Sequence, residues 1–510
     1  MRLLVTAAEM RALDRHTIDV LGVPALALME TAGRAVAAEA EKHGDHFVVV
    51  AGTGNNGGDG LVAARSLVAR GRHVVVVMIG DEGKLSDDTK VCLKSCSHLD
   101  VSWGVEALDL QLASHPHAVI VDALFGTGLS RAIEGDAAMA IEKMNAHETP
   151  IVAVDVPSGL DSDRGVATGP VVRATATVTF AHAKRGLYAA PGFTYAGEIV
   201  VADIGIGIGA STEAVKARLL DESILAPFRA RDPLGHKGTH GHVLLLAGSV
   251  GKIGASLLAG HAALRAGAGL VTLATPLSAQ ARVDGKLPEL MTFGYPGADP
   301  EGGHGLDVGK AVAALVAEVM GKRVVAIGPG VSTAPAFADI IEKLVYAAVA
   351  EGVTVVLDAD GLNHLAHRPS ILAGRPGSGT IVLTPHPGEA ARLLGKKVAD
   401  IEADRYAAVK ALAEKYDAVV ALKGARTLVA SPDGRVLLCA AGGPVLGVGG
   451  TGDVLTGATA ALCANRKAPA FESVAAAVFL HATAADLLAA ETSRGVLAGE
   501  IADALPHAFG

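Results

Sequence analysis

The stretch Phe47-Val-Val-Val-Ala-Gly52-Thr-Gly-Asn-Asn56-Gly-Gly-Asp59-Gly-Leu-Val-Ala-Ala-Arg-Ser-Leu-Val-Ala-Arg-Gly71 decides the fold class. A short run of β-branched residues ends in a glycine loop, and the loop opens an Ala- and Leu-rich segment of helical character. A strand–loop–helix junction of this kind belongs to α/β architecture with a mainly parallel sheet. The backbone N–H groups of such a loop, with the positive end of the helix behind them, favour an anion such as phosphate. The run lacks the Gly-Lys-Ser/Thr of a Walker loop and the spacing of the GxGxxG fingerprint.

Outward from this junction the same alternation continues along the chain. Further strands are expected at His73–Gly80, Ala118–Gly126, Ile151–Pro157, Ala176–Ala181 and Glu198–Gly205, preceded by one long Ala-rich helix around Ala7–His43. After Gly205 the pattern lapses, and the polar stretch from Arg229 to His240 reads as a linker. A second series follows at His242–Ser249, Leu270–Pro276, Arg323–Gly330, Val353–Asp360, Ile381–Pro387 and Ala418–Gly424, then a hairpin turning on Ser431-Pro-Asp-Gly434. The chain is therefore α/β throughout: a Rossmann-like doubly wound domain at 1–215 and a second α/β domain at 225–508. At 510 residues it exceeds what one core usually supports.

Composition narrows the partners. The formal charge of −9 gives no general attraction to nucleic acid or to anionic membranes, so an anionic ligand needs local help from loops and helix ends. Aromatics supply only 3% of residues, which leaves Val, Leu, Ile and Ala to build the cores. The four cysteines, Cys92, Cys96, Cys439 and Cys463, show no metal-type spacing and read as thiols of a reducing compartment. No signal peptide or membrane span is expected, and the cytoplasm is the expected location.

Two more strand ends in the first half carry chemistry: Val121-Asp122-Ala-Leu-Phe-Gly126-Thr-Gly-Leu and Val154-Asp155-Val-Pro-Ser158-Gly-Leu-Asp161. Ligands bind outside the carboxyl ends of strands in open α/β sheets, where these loops converge with the first. With Ala27-Leu-Met-Glu-Thr-Ala-Gly33, the trio resembles the NAD(P)H-hydrate epimerase family over residues 1–215. The resemblance implies that Asn55, Asn56, Gly57, Gly58, Asp59, Gly126, Thr127, Gly128, Leu129, Ser130, Arg131 and Ala132 contact the hydrated dinucleotide. It also implies potassium on Asn56, Asp122 and Ser158, whose oxygens are hard donors, and Asp155 at the reacting ring as acid/base.

In the second half, Gly447-Val-Gly-Gly-Thr-Gly-Asp453-Val-Leu-Thr-Gly457 is a glycine turn entering an apolar helix with an aspartate in its first turn. The helix start can offset phosphate charge while Asp453 accepts a proton from an attacking hydroxyl. This pattern resembles the ribokinase-like superfamily. His236-Lys-Gly-Thr-His-Gly-His242, Ile327-Gly-Pro-Gly330, Leu357-Asp-Ala-Asp-Gly-Leu-Asn363, Leu383-Thr-Pro-His-Pro-Gly-Glu389 and Leu422-Lys-Gly-Ala-Arg-Thr427 occur around it in that order. Together these look like the ADP/ATP-dependent NAD(P)H-hydrate dehydratases. By that resemblance Ala255, Gly330, His386 and Asp453 meet the hydrate, and Lys423, Gly424, Ala425, Arg426, Thr427 and Gly452 hold the adenine nucleotide. Asp358 and Asp360 either cap a helix or orient magnesium.

The implied activity is repair: epimerisation of R- and S-hydrates of NADH and NADPH, then dehydration of the S form using ADP or ATP with magnesium. The resemblance to bacterial-type fusions favours ADP. A homo-oligomer is expected. The alternative is a ribokinase-like kinase of a small molecule, such as a vitamin alcohol, with a non-catalytic N-terminal binding domain.

Overall fold

The computed structural model describes residues 1–128, 132–167, 169–206, 210–296 and 307–510. The chain divides into two compact units, residues 2–217 and 218–510.

In the first unit the strands are β1 (Arg2–Val5), β2 (His46–Ala51), β3 (His73–Met78), β4 (Asp100–Trp103), β5 (Val119–Ala123), β6 (Ile151–Val154), β7 (Ala176–Phe180), β8 (Ala183–Lys184) and β9 (Glu198–Ala202). Seven of them form one sheet in the order β4-β3-β2-β5-β6-β7-β9, parallel throughout. Strand order reverses between β2 and β5, so the crevice for a ligand opens between the loops that follow them. Side chains alternate to fill both faces: Val49 and Val121 join one apolar cluster, Val48, Val50 and Ile120 another. That two-sided burial is why these strands read as unbroken apolar runs.

Helix Asn55–Ala69 enters directly from the glycine loop. A Cβ on Gly57 would lie 1.9 Å from the Gly52 carbonyl oxygen, so only glycine allows the helix to start this close to the strand. The long helix expected at Ala7–His43 is instead two helices, Ala7–Arg15 and Ala25–Ala40, joined through a π-helical turn at His16–Val20. Gly22 at φ 75° and Pro24 before the second helix break it. Ahead of the first helix, β1 runs parallel to β8, a pairing not expected from the sequence.

A short strand, β10 (Ala217–Leu219), leads to the second unit. There β11 (His242–Leu246), β12 (Leu270–Pro276), β13 (Met291–Tyr295), β14 (Val324–Ile327), β15 (Thr354–Leu357), β16 (Ile381–Leu383), β17 (Val419–Leu422), β18 (Leu428–Ala430) and β19 (Val436–Leu438) follow. They lie in the order β13-β12-β11-β14-β15-β16-β17-β18-β19. The pairs are parallel from β13 to β17 and antiparallel for the last two, which form the hairpin around Gly434. Order reverses between β11 and β14. Helix Thr451–Asn465 crosses Ile253–Arg265 so closely that a Cβ on Gly457 would lie 2.1 Å from the Ala259 carbonyl oxygen. Helix Ala470–Ala489 has the length and apolar character of a membrane span, and two thirds of it is buried in this core.

Candidate active sites

In the first unit Asp155 ends β6 with φ 66°, a left-handed conformation that an aspartate tolerates better than most residues. Its Oδ1 accepts from Thr179 Oγ1 at 3.2 Å and pairs with the ammonium of Lys184. Lys184 is 1% exposed and also donates to Thr179 Oγ1 at 3.0 Å and the Phe180 carbonyl at 3.2 Å. The other carboxylate oxygen, Oδ2, faces Gly126: a Cβ there would be 3.5 Å from it and 2.9 Å from Asn56 Oδ1. Gly126 thus brings Asn56 and Asp155 to opposite sides of one small gap. Two further carboxyls, Asp59 and Asp14, lie close enough to feel Asp155. Burial raises Asp59 well above the usual carboxylate range, with Asp155 adding to it, and burial raises Asp14 to about 6.

Asp122 and Ser158 form a second knot beside this pair. Ser158 N and Oγ donate to Asp122 at 2.8 and 2.6 Å, Leu124 N adds a third bond at 3.3 Å, and Phe125 N donates to Ser158 Oγ at 2.9 Å. Asp122 is fully buried and, among the described residues, pairs with no cationic side chain; burial pushes it up to about 6. Ser158→Ala strips the hydroxyl alone, one donor to Asp122 and one acceptor for Phe125 N, and leaves the backbone bond. It should cost about 1–3 kcal/mol of stability, read as a lower urea midpoint at unchanged slope.

The structure brings Asn56, Gly126, Asp122, Asp155 and Ser158 together around the strand ends, with Asn55, Gly57 and Gly58 in the first turn of helix Asn55–Ala69 and Asp59 directly after it. Thr127, Gly128 and Ala132 continue the loop, while Leu129, Ser130 and Arg131 lie outside the described residues. Lys184 and Thr179 were not singled out from the sequence. The available signal was a lysine directly after an apolar strand, in Ala183-Lys-Arg.

In the second unit the centre is Lys423, at the end of β17. Its Nζ donates to Asp358 Oδ1 at 2.6 Å and lies 3.9 Å from Glu389 Oε2. Burial pulls the lysine down, but Asp358 and Glu389 outweigh it and hold it above its usual range. Asp358 Oδ2 accepts from Thr456 Oγ1 at 2.5 Å, on the helix that carries Asp453. Asp453 sits in the first turn of that helix; burial, then Asp358, raises it to about 7. Glu389 is likewise raised to about 7, chiefly by burial. A Cβ on Gly452 would be 3.5 Å from Lys423 Nζ, and one on Gly330 would be 3.4 Å from the Ala255 Cβ. Lys423 thus adjoins Gly452, and Ala255 adjoins Gly330.

Asp358 stands at the N-cap of helix Ala359–His367 without capping it through its side chain, and ties β15, β17 and helix Thr451–Asn465 together instead. Asp360 accepts from Ser332 N at 3.0 Å and Asn363 Nδ2 at 3.4 Å, with Lys252 Nζ 3.4 Å away. His386 caps helix Pro387–Leu394: its Nδ1 accepts from Gly388 N at 2.9 Å, and His386 N donates to Glu389 Oε2 at 2.8 Å. Burial, then Lys423, lowers its pKa, which keeps the ring neutral.

Gly424, Ala425, Arg426 and Thr427 form the loop after Lys423, where Thr427 Oγ1 donates to the Gly424 carbonyl at 3.1 Å and Arg426 to the Ala440 carbonyl. Three residues that the sequence reading did not single out complete this site: Glu389, Thr456 and Arg405. Arg405, 4% exposed, donates to the carbonyls of Leu422 and Lys423 at 3.3 and 3.1 Å and so fixes the loop's entry.

Residues 25–186 match a family model described as YjeF-related protein N-terminus, and residues 243–507 match one described as NAD(P)H-hydrate dehydratase. A bifunctional NAD(P)H-hydrate repair enzyme Nnr from Moorella thermoacetica is 40% identical over 99% of this chain and 96% of its own. The enzyme of that name from Escherichia coli is 35% identical over 97% and 92%. Among solved structures, a ribokinase-like superfamily protein of Enterococcus faecalis covers 58% of this chain and 95% of its own, at 26% identity and TM-score 0.50.

Proposed function

Since the chain belongs to the bifunctional NAD(P)H-hydrate repair enzymes, we propose that it restores both epimers of hydrated NADH and NADPH to reduced cofactor. The observation that carries the reading is a buried acid–base pair at the strand ends of each unit. These are Asp155 with Lys184, and Asp453 beside the Lys423–Asp358 ion pair.

In the first unit, carbon 6 of the hydrated nicotinamide ring carries a hydroxyl next to the ring nitrogen. Asp155 Oδ2, the oxygen not engaged by Lys184, moves the proton as the hydroxyl leaves and returns to the other ring face. Lys184 holds the carboxylate in place through its other oxygen. The oxygens of Asn56, Asp122 and Ser158 suit potassium, because they are hard donors carrying one buried carboxylate that has no cationic partner among the described residues. The ion would supply positive charge that fixes the two loops.

In the second unit, Asp453 takes the proton of the S-hydrate hydroxyl as the hydroxyl oxygen attacks the terminal phosphorus of ADP or ATP, breaking the bridging P–O bond and releasing AMP or ADP. Lys423 and the start of helix Thr451–Asn465 balance the transferring charge. The ring nitrogen's lone pair then expels phosphate from carbon 6, and loss of the carbon 5 proton restores the dihydronicotinamide. Magnesium carried in on the nucleotide would screen its phosphates. All four cysteines are free and buried, in keeping with a cytoplasmic setting.

Because Asp453 must be ionised to accept a proton and titrates near 7, dehydratase kcat/KM should climb with pH and level off above about pH 8. A profile already flat at pH 5 would remove Asp453 as the base. The whole reading is tested with an R/S mixture of NADH hydrate, ADP or ATP and magnesium, following the absorbance of reduced nicotinamide. Full recovery supports it. A stable phosphorylated product without recovered NADH would favour a small-molecule kinase instead.

A further inference from the structure

The match to the N-terminal family model begins at residue 25, yet the chain before it is bound to the residues that perform the first reaction. We infer that the segment Arg2–Arg15 is a working part of the epimerase site, and that Glu9 is a positioning residue for Lys184. This rests on the epimerase reading of that site.

Lys184 lies in a strand of only two residues, too short to hold a buried ammonium in register by itself. Two attachments supply what the strand lacks. First, β1 runs alongside, with Leu4 opposite Ala183 and Val5 opposite Lys184. Second, the next residue, Arg185, reaches back to the helix that β1 leads into. Its Nη2 donates to both carboxylate oxygens of Glu9 at 2.9 Å, and its Nε to the Leu4 carbonyl at 3.4 Å.

Glu9 is itself immobilised. Thr6 N and Oγ1 donate to its Oε2 at 2.7 and 3.0 Å, and Glu9 N donates to Thr6 Oγ1 at 3.1 Å, closing a capping box at the start of helix Ala7–Arg15. At the same helix start Ala7 N donates to Asp163 Oδ1 at 2.6 Å, on the loop that follows Asp155. One helix end therefore grips both segments that supply the Asp155–Lys184 pair. The side chain of Asp14, near the other end of the helix, makes no hydrogen bond or ion pair with another described residue, and its charge acts on Lys184 and Asp155.

Glu9→Gln separates the ion pair from the cap, because glutamine serves equally as the third residue of a capping box but carries no charge for Arg185. Epimerisation of R- to S-hydrate should lose about ten-fold in kcat with KM unchanged, since the lysine is misplaced rather than the substrate site altered. Arg185→Met should lose a similar amount. The double variant should lose no more than the worse single, as expected when two residues act through one contact. Dehydration of pure S-hydrate, assayed on the same preparations, reports that each variant is intact. Glu9→Gln epimerising at the wild-type kcat, a loss confined to KM, or losses that multiply in the double variant would each overturn the inference. A wild-type protein that dehydrates S-hydrate but never consumes R-hydrate overturns the epimerase reading instead.

Discussion

With Asp453 replaced by Asn, recovery of NADH from S-hydrate and nucleotide falls by about a thousand-fold, the range expected for losing a positioned general base. Epimerisation by the same protein is unchanged. The substitution is nearly isosteric, and Asp453 itself is not the residue that holds Lys423, which pairs with Asp358. Binding of nucleotide should therefore survive while turnover does not. The same change should stabilise the fold at pH 8. A carboxyl raised from 3.8 to about 7 on folding binds a proton more tightly in the native state. Stability then falls as pH rises from about 4 to about 7, and an amide at that position escapes the loss. Initial rates on S-hydrate, with melting curves at pH 5 and 8, check both parts. A variant within ten-fold of wild type would remove Asp453 from the reaction.

The second large effect belongs to the first unit. Asp155→Asn should stop the R hydrate from being consumed at all, so that a mixed sample recovers NADH only until its S form is exhausted. Asparagine tolerates the left-handed backbone at this position, so the chain path is kept. What is lost is the charge opposite Lys184, which at 1% exposure cannot be rescued by water. Leaving one member of a buried pair unmatched costs about 3–5 kcal/mol. Adding Lys184→Met to Asp155→Asn should return much of that stability, and neither protein should epimerise. A double variant that regains R-hydrate consumption would show that the pair serves packing alone.

The most legible strands in the sequence were buried on both faces, such as Phe47–Ala51 and Val353–Leu357, where an almost unbroken apolar run is needed. Two of those that escaped, Asp100–Trp103 and Met291–Tyr295, lie at sheet edges, where one side needs no partner and the pattern dilutes. In the sites, aspartates within glycine loops announced themselves by context. Lys184, Thr456 and Arg405 did not, since each acquires its role from a partner 29, 98 and 18 residues away. Glu389 stood inside a quoted motif yet looked like an ordinary cap, which it also is; only its distance to Lys423 reveals the second task.

The reversal of strand order between β2 and β5 has a consequence in time as well as in space. On the ribosome β2 meets β3 early, but its other edge waits for β5, which begins at Val119. At roughly 5–20 residues per second that delay is on the order of ten seconds. Throughout it the bare side of Phe47–Ala51, an apolar ribbon, is open to any strand that drifts by. Nascent chains stalled before Val119 should thus be sticky, and those stalled after Val154 should not.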